Sequence, residues 1–153
     1  MKYKIYTDGS SNQGSKNEIK KKGGWAYLIL DENDVIIREC SEKSSDNLST
    51  NNQCEMLGVI NSLIACKALK LNGVIEVYSD SAYIVNAFSE GWIDNWIKKG
   101  WINALGQPVA NKNLWVELIG LTKQLGAKIT KIKRNSNTLS KRVDSLAKSK
   151  MRD

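Results

Sequence analysis

The sequence predicts an α/β domain: a mixed five-stranded sheet, three antiparallel strands followed by parallel crossovers, with helices on its faces. Three observations carry that expectation. Three strand-like apolar runs open the chain, a helix with a clear apolar stripe separates them from a fourth, and a last alternating run precedes a closing helix. The chain has 153 residues, 41% hydrophobic and 25% charged, which is one domain's length and an ordinary globular composition. That excludes a disordered or collagen-like protein, and one domain over residues 1–153 is expected.

Tyr3 to Asp8 reads as a strand of aromatic and β-branched residues that stops at Gly9-Ser10, where turn formers begin. After a polar loop carrying Lys20, Lys21 and Lys22, Gly24 to Leu30 and Val35 to Cys40 form two more strand-like runs. Their link, Asp31-Glu32-Asn33-Asp34, is short enough for an antiparallel hairpin. Ser49-Thr50-Asn51-Asn52 offers N-cap residues for a helix from Gln53 to about Leu69, with Met56, Val59, Ile60 and Leu63 on one stripe. Val74 to Tyr78 is a strand, so a parallel strand, helix, strand crossover follows. Asp80-Ser81 caps a second helix to about Phe88. Gly91, Gly100 and Gly106 punctuate an irregular tryptophan-bearing stretch before Leu114, Leu118, Leu121 and Leu125 mark a third helix. Lys128 to Lys133 alternates as the last strand, and Ser140 to about Lys150 closes the chain as a helix.

The net charge is +7, and its position matters more than its size. Residues 1–127 hold 14 charges of each sign, so the whole excess lies in residues 128–153, where nine basic residues face only Asp144 and Asp153. Such clustering fits either a polyanionic partner or a solvated basic tail. The chain has no histidine, which removes the commonest general base and zinc ligand and leaves catalysis to carboxylates, lysines, hydroxyls or thiols. Cys40, Cys54 and Cys66 form no Cys-x-x-Cys pair and read as small buried hydrophobes. No leader-like run opens the chain and no run has bilayer-spanning length, so a cytoplasmic protein with no membrane partner is expected.

Four acids fall at element ends. Asp8 closes the first strand, Glu55 lies in the first turn of the long helix, Asp80 follows the fourth strand, and Asp144 sits among the basic residues of the last helix. Strand ends are where α/β sheets collect catalytic groups, although each acid taken singly reads as well as a cap or turn residue. If the four converge, their repulsion calls for cations between them, and an all-oxygen donor set suits Mg²⁺, with Mn²⁺ as a substitute. Two such ions clamp the attacking and leaving oxygens of a phosphoryl displacement.

The motifs around these acids resemble those of the type 1 ribonuclease H family over nearly the whole chain. Thr7-Asp8-Gly9-Ser10 resembles the opening Asp-Gly-Ser motif, Thr50-Asn51-Asn52-Gln53-Cys54-Glu55 the Thr-Asn-Asn-x-x-Glu motif, and Ser79-Asp80-Ser81 with Tyr83 the Asp-Ser-x-Tyr motif. Trp92 to Trp101 looks like the basic handle of many bacterial members, Asn111 to Trp115 like the Asn-x-x-Leu-Trp after it, and Lys141 to Ala147 like the closing motif. The resemblance implies a ribonuclease H-like fold and hydrolysis of the RNA strand of an RNA–DNA hybrid, leaving a 5′-phosphate and a 3′-hydroxyl. It implies that Asp8 is shared by both ions, that Asp80 and Asp144 hold the ion beside the attacking water, and that Glu55 holds the second ion near a ribose 2′-hydroxyl. It also implies that Gly9 and Ser10 bind substrate, that Thr50 and Asn51 seat a DNA phosphate, and that Asn52 and Gln53 touch bases or sugars. Asn95, Trp96, Lys98, Lys99 and Trp101 would then cover the DNA strand. A monomer is expected.

Two positions depart from the family pattern. The loop histidine before the last helix is replaced, with Asn135 in the nearest place, so slow proton handling and product release are expected. Lys141 stands where the family often has an acid, which changes the charge near Asp144. An inert hybrid-binding module and a two-metal nuclease acting on DNA remain as alternatives. The module is disfavoured, because a binder of polyanions gains nothing from clustered acids.

Overall fold

The computed structural model describes residues 1–12 and 21–153. Strands β1 (Lys2–Ser11), β2 (Gly23–Leu30) and β3 (Ile36–Lys43) are followed by helix α1 (Asn51–Ala68) and strand β4 (Val74–Ser79). Helices α2 (Ala82–Ser89), α3 (Trp92–Lys98) and α4 (Lys112–Leu125), strand β5 (Lys128–Lys131) and helix α5 (Thr138–Arg152) complete the order. The sheet runs β3-β2-β1-β4-β5. Its first three strands pair antiparallel, and β1, β4 and β5 pair parallel, as the short hairpin link and the helical crossovers dictate.

The strand alternation divides the apolar residues between two faces. Tyr3, Ile5, Tyr27, Ile29, Ile75 and Val77 join Val59, Leu63, Trp115 and Leu118 in the larger core. Tyr6, Ala26, Leu28 and Leu30 meet Val143 and Ala147 of α5 on the other face. Because β2 is covered on both sides it is buried along its whole length, which explains its unbroken apolar run. Met56, Val59, Ile60 and Leu63, the predicted stripe, are all buried.

The tryptophan-bearing stretch is not wholly irregular: it contains α3, which the sequence reading did not include. Of its residues only Ile93 is fully buried, so apolar periodicity gives it little signal. It is held by aromatic packing, with Trp96 set 5.9 Å from Trp101 and 5.3 Å from Trp115 between ring centroids. Trp92, 6.3 Å from Trp96, is half-buried against the core. Cys54 and Cys66 are buried and Cys40 is partly exposed, all three as free thiols. Among the described residues no helix is long and apolar enough to cross a membrane. Lys20 lies outside the described residues; Lys21 and Lys22 lead into β2.

Candidate active site

Strand register brings the first two acids together. Tyr6 of β1 pairs with Tyr78 of β4, so two residues further on Asp8 and Asp80 leave adjacent strands on the same face, the one that α5 covers. Glu55 arrives from the first turn of α1. That helix starts where it does because Thr50 accepts a hydrogen bond from the Gln53 N–H at 3.1 Å while the Gln53 side chain accepts from the Thr50 N–H at 3.2 Å, a complete capping box. The approach of α1 to β1 requires Gly9, since a Cβ there would collide with the backbone of Cys54 and Glu55. One carboxylate oxygen each from Asp8, Glu55 and Asp80 lies within 4.8 Å of the others.

Asp144 joins this group from α5 in a different electrostatic setting. It shares a hydrogen bond with Asp8 and faces two cations, Lys148 at 2.9 Å and Arg134 at 3.6 Å. Lys141 is not among its ion partners, so the charge change at that position leaves Asp144 without a new contact. Burial pushes the Asp144 carboxyl up, but the bonds from Lys148 and Asp8 and the charges of Lys148 and Arg134 outweigh it and hold the group below its usual range. The other three move the opposite way. Burial first and the neighbouring Asp80 second push Asp8 up to about 7, with a 2.9 Å bond from the Gly9 N–H opposing. Burial and then the charges of Asp8 and Asp80 hold Glu55 well above its ordinary value, and Asp80 is raised mainly by burial.

The cluster floors a cleft of about 430 Å³. Gly9, Ser10, Ser11 and Asn51 line it together with Arg134, Lys148, Met151 and Arg152. A second cleft continues from it past Asn52, Ser81 and Tyr83, sharing Asn51, Glu55, Asp80 and Arg134 with the first. Not every predicted contact residue is free to reach a ligand. Thr50 and Gln53 spend side-chain bonds on the capping box, and the Gln53 amide also donates to Asn111 at 3.1 Å. Asn95, Lys98 and Lys99 are exposed on or beside α3 and line neither cleft. Trp96 and Trp101 are half-buried, and the Lys112 ammonium lies 6.0 Å from the Trp101 ring.

Asn135 is exposed with φ of 54° and does not line either cleft. Its neighbour Arg134 lines both. In the sequence Arg134, Lys148 and Arg152 stand out only as members of the basic cluster and Met151 not at all, and the i, i+4 spacing of Asp144 and Lys148 is the one local signal for their arrangement.

The donor set fits hard divalent cations on the molecule's own evidence. All its ligand atoms are carboxylate oxygens, and the Glu55 Oε2 atom is buried with no hydrogen-bond partner among the described residues. The model for the family described as RNase H matches residues 1–152. The chain belongs to the RNase H family. It is 41% identical over 147 residues to a ribonuclease H of Chlorobaculum parvum, covering 94% of this chain and 91% of that one. Two solved structures share the RNase H fold. A foamy viral protease-reverse transcriptase in complex with double-stranded DNA matches with a TM-score of 0.81 at 20% identity, over 97% of this chain and 93% of that one. LC11-RNase H1 in complex with an RNA/DNA hybrid matches with a TM-score of 0.73 at 21% identity, over 98% and 96%.

Proposed function

We propose that this ribonuclease H hydrolyses the RNA strand of RNA–DNA hybrids with two divalent ions, Mg²⁺ or in its place Mn²⁺, acting as a monomeric single domain in the cytoplasm. The observation that carries the reading is the meeting of Asp8, Glu55 and Asp80, with Asp144 beside them, on the floor of a cleft walled by cations. Asp8, Glu55, Asp80 and Asp144 would hold the ions. When bound, these supply Lewis-acid polarisation of the scissile phosphate and offset charge on the attacking and leaving oxygens.

The chain's own residues do the rest. The water oxygen bonds to phosphorus as the water gives up a proton to solvent, the bond from phosphorus to the 3′-oxygen breaks, and that oxygen takes up a proton, leaving a 5′-phosphate and a 3′-hydroxyl. Gly9 donates its N–H to Asp8 and so fixes that carboxylate. Asn51 and Asn52, exposed at the start of α1, present amides to the substrate along both clefts. Asn95, Lys98 and Lys99 offer a separate cationic surface for the DNA strand, with Trp96 and Trp101 anchoring it to α4 through Trp115. Contacts of this kind read backbone and groove shape, so cleavage shows little base-sequence preference.

The test is the Asp8→Asn variant on a labelled hybrid. Cutting is expected to be abolished while hybrid binding is largely kept, and full activity would overturn the site. A deoxyribose at the cut position is expected to block cleavage by the unaltered protein; continued cutting there would favour a DNA nuclease. Binding without any cutting, in Mg²⁺ or Mn²⁺, would favour the inert module.

A further inference from the structure

The C-terminal turn of α5 is built into the mouth of the catalytic cleft. Gly24 of β2 pairs with Ser10 at the end of β1, and α5 crosses Gly24 so closely that a Cβ there would collide with the Ala147 carbonyl and lie 2.6 Å from the Met151 nitrogen. The Ser10 hydroxyl donates to the Met151 sulfur at 3.5 Å. One residue beyond the helix, the Asp153 main-chain oxygen accepts from the Lys43 ammonium of β3 at 2.6 Å. Three contacts from three strands therefore fix this turn, a short distance along the chain from Asp144.

The cations on that wall are not equivalent. Lys148 and Arg134 both face Asp144, and Lys150 pairs with Asp153 at 3.8 Å. Arg152 lines the cleft that holds Asp8, Glu55 and Asp80, and among the described residues no carboxylate pairs with it. A guanidinium on a fixed helical turn, facing a cleft and lacking a carboxylate partner, is suited to bidentate contact with a phosphate. The second cleft leaves the acids in another direction and does not include Arg152, so a strand crossing the cluster has the first cleft on one side of the cut only.

We propose that Arg152 forms a subsite for one phosphate of the RNA strand, next to the scissile phosphate on the side of Ser10 and Ser11. This rests on the hybrid-cleavage reading above. The same strand is named because its neighbouring phosphates lie nearer the reacting one than those across the duplex. Arg152 is a positioning residue: it seats the strand and touches no reacting atom.

The experiment measures hybrid binding by the metal-free protein in EDTA, and steady-state cleavage in Mg²⁺, for the unaltered protein, Arg152→Ala and Arg152→Lys. Arg152→Ala is expected to weaken binding about fivefold, to lower the slope of log affinity against log salt by about one, and to raise KM with kcat within about twofold. Arg152→Lys recovers part of the affinity. Hybrids with a single neutral methylphosphonate, placed on a 2′-O-methyl nucleotide at successive RNA-strand positions, locate the contact. One position next to the cut weakens binding to the unaltered protein and has no effect on Arg152→Ala. The subsite is overturned by unchanged affinity and salt slope in Arg152→Ala, by an equal methylphosphonate penalty in both proteins, or by a penalty found only on the DNA strand. Failure of the unaltered protein to cut the hybrid would overturn the hybrid reading itself, whatever Arg152 does.

Discussion

Glu55 carries an unrelieved electrostatic conflict. It is packed between β1 and α1, one carboxylate oxygen has no partner among the described residues, and burial together with the charges of Asp8 and Asp80 raises its pKa. A conflict of that kind persists where a ligand relieves it, which is why three acids brought together from β1, α1 and the end of β4 read as a cation site. The loop between β5 and α5 shows the opposite economy. Asn135 adopts the left-handed conformation, with φ of 54°, and turns the chain so that Arg134 faces the cleft. Asparagine and histidine are both enriched in that backbone region. Asn135→His is therefore expected to fold, to place a group titrating near neutral pH beside the cleft, and to raise steady-state turnover severalfold. Equal single-turnover and steady-state rates in variant and parent would sink the idea. The acids Asp8, Glu55 and Asp80 were legible because each sits in a motif at an element end. The part played by Arg134 was not, because which of two adjacent loop residues faces inward is decided by one backbone torsion that spacing does not encode.

Among the elements, α1 shows how a local signal sets the place of a candidate site residue. The pair Thr50 and Gln53 sets the first turn, and that turn fixes where Glu55 meets Asp8. Thr50→Ala removes a side-chain acceptor from the N-terminus and is expected to cost about 1 kcal/mol, seen as a fall of roughly 2–4 °C in Tm, whereas Thr50→Ser keeps most of the stability. An unchanged Tm in Thr50→Ala would show that the capping box adds nothing here. Elements with strong local signals were legible: the strand runs, the α1 stripe and the leucine spacing of α4 all appear in the structure, with ends shifted by at most three residues. The short helix α3 was missed because it has one fully buried residue and relies on Trp96 packing against Trp101 and Trp115, both outside the helix. The closing helix α5 was legible from Ser140 to about Lys150, and only its last turn, to Arg152, was not. Its final turn is fixed by Gly24, Ser10 and Lys43, none of them local.

Across the whole molecule, charge is distributed so that acids meet cations at one cleft, and stability is therefore expected to respond to protons and to divalent ions together. Asp8, whose pKa rises from 3.8 to about 7, binds its proton more tightly in the folded chain than in the unfolded one, and Glu55 and Asp80 shift in the same direction. The folded state then holds more protons between pH 4 and 7, so the stability these groups contribute is full at the acid end of that window and is lost as pH rises towards 7. Asp144 acts in reverse, its contribution being lost as pH falls through its lowered folded value, and so it matters only at the acid end. The metal-free protein is expected to have a Tm several degrees higher at pH 5.5 than at pH 8. Saturating Mg²⁺ should raise Tm at pH 8 more than at pH 5.5, because the cation replaces the protons that the carboxylates have lost. Thermal unfolding in EDTA and in Mg²⁺ at the two pH values measures this. A metal-free Tm that climbs between pH 5.5 and 8, or a Mg²⁺ effect of equal size at both, would mean that the three carboxylates do not share one strained site.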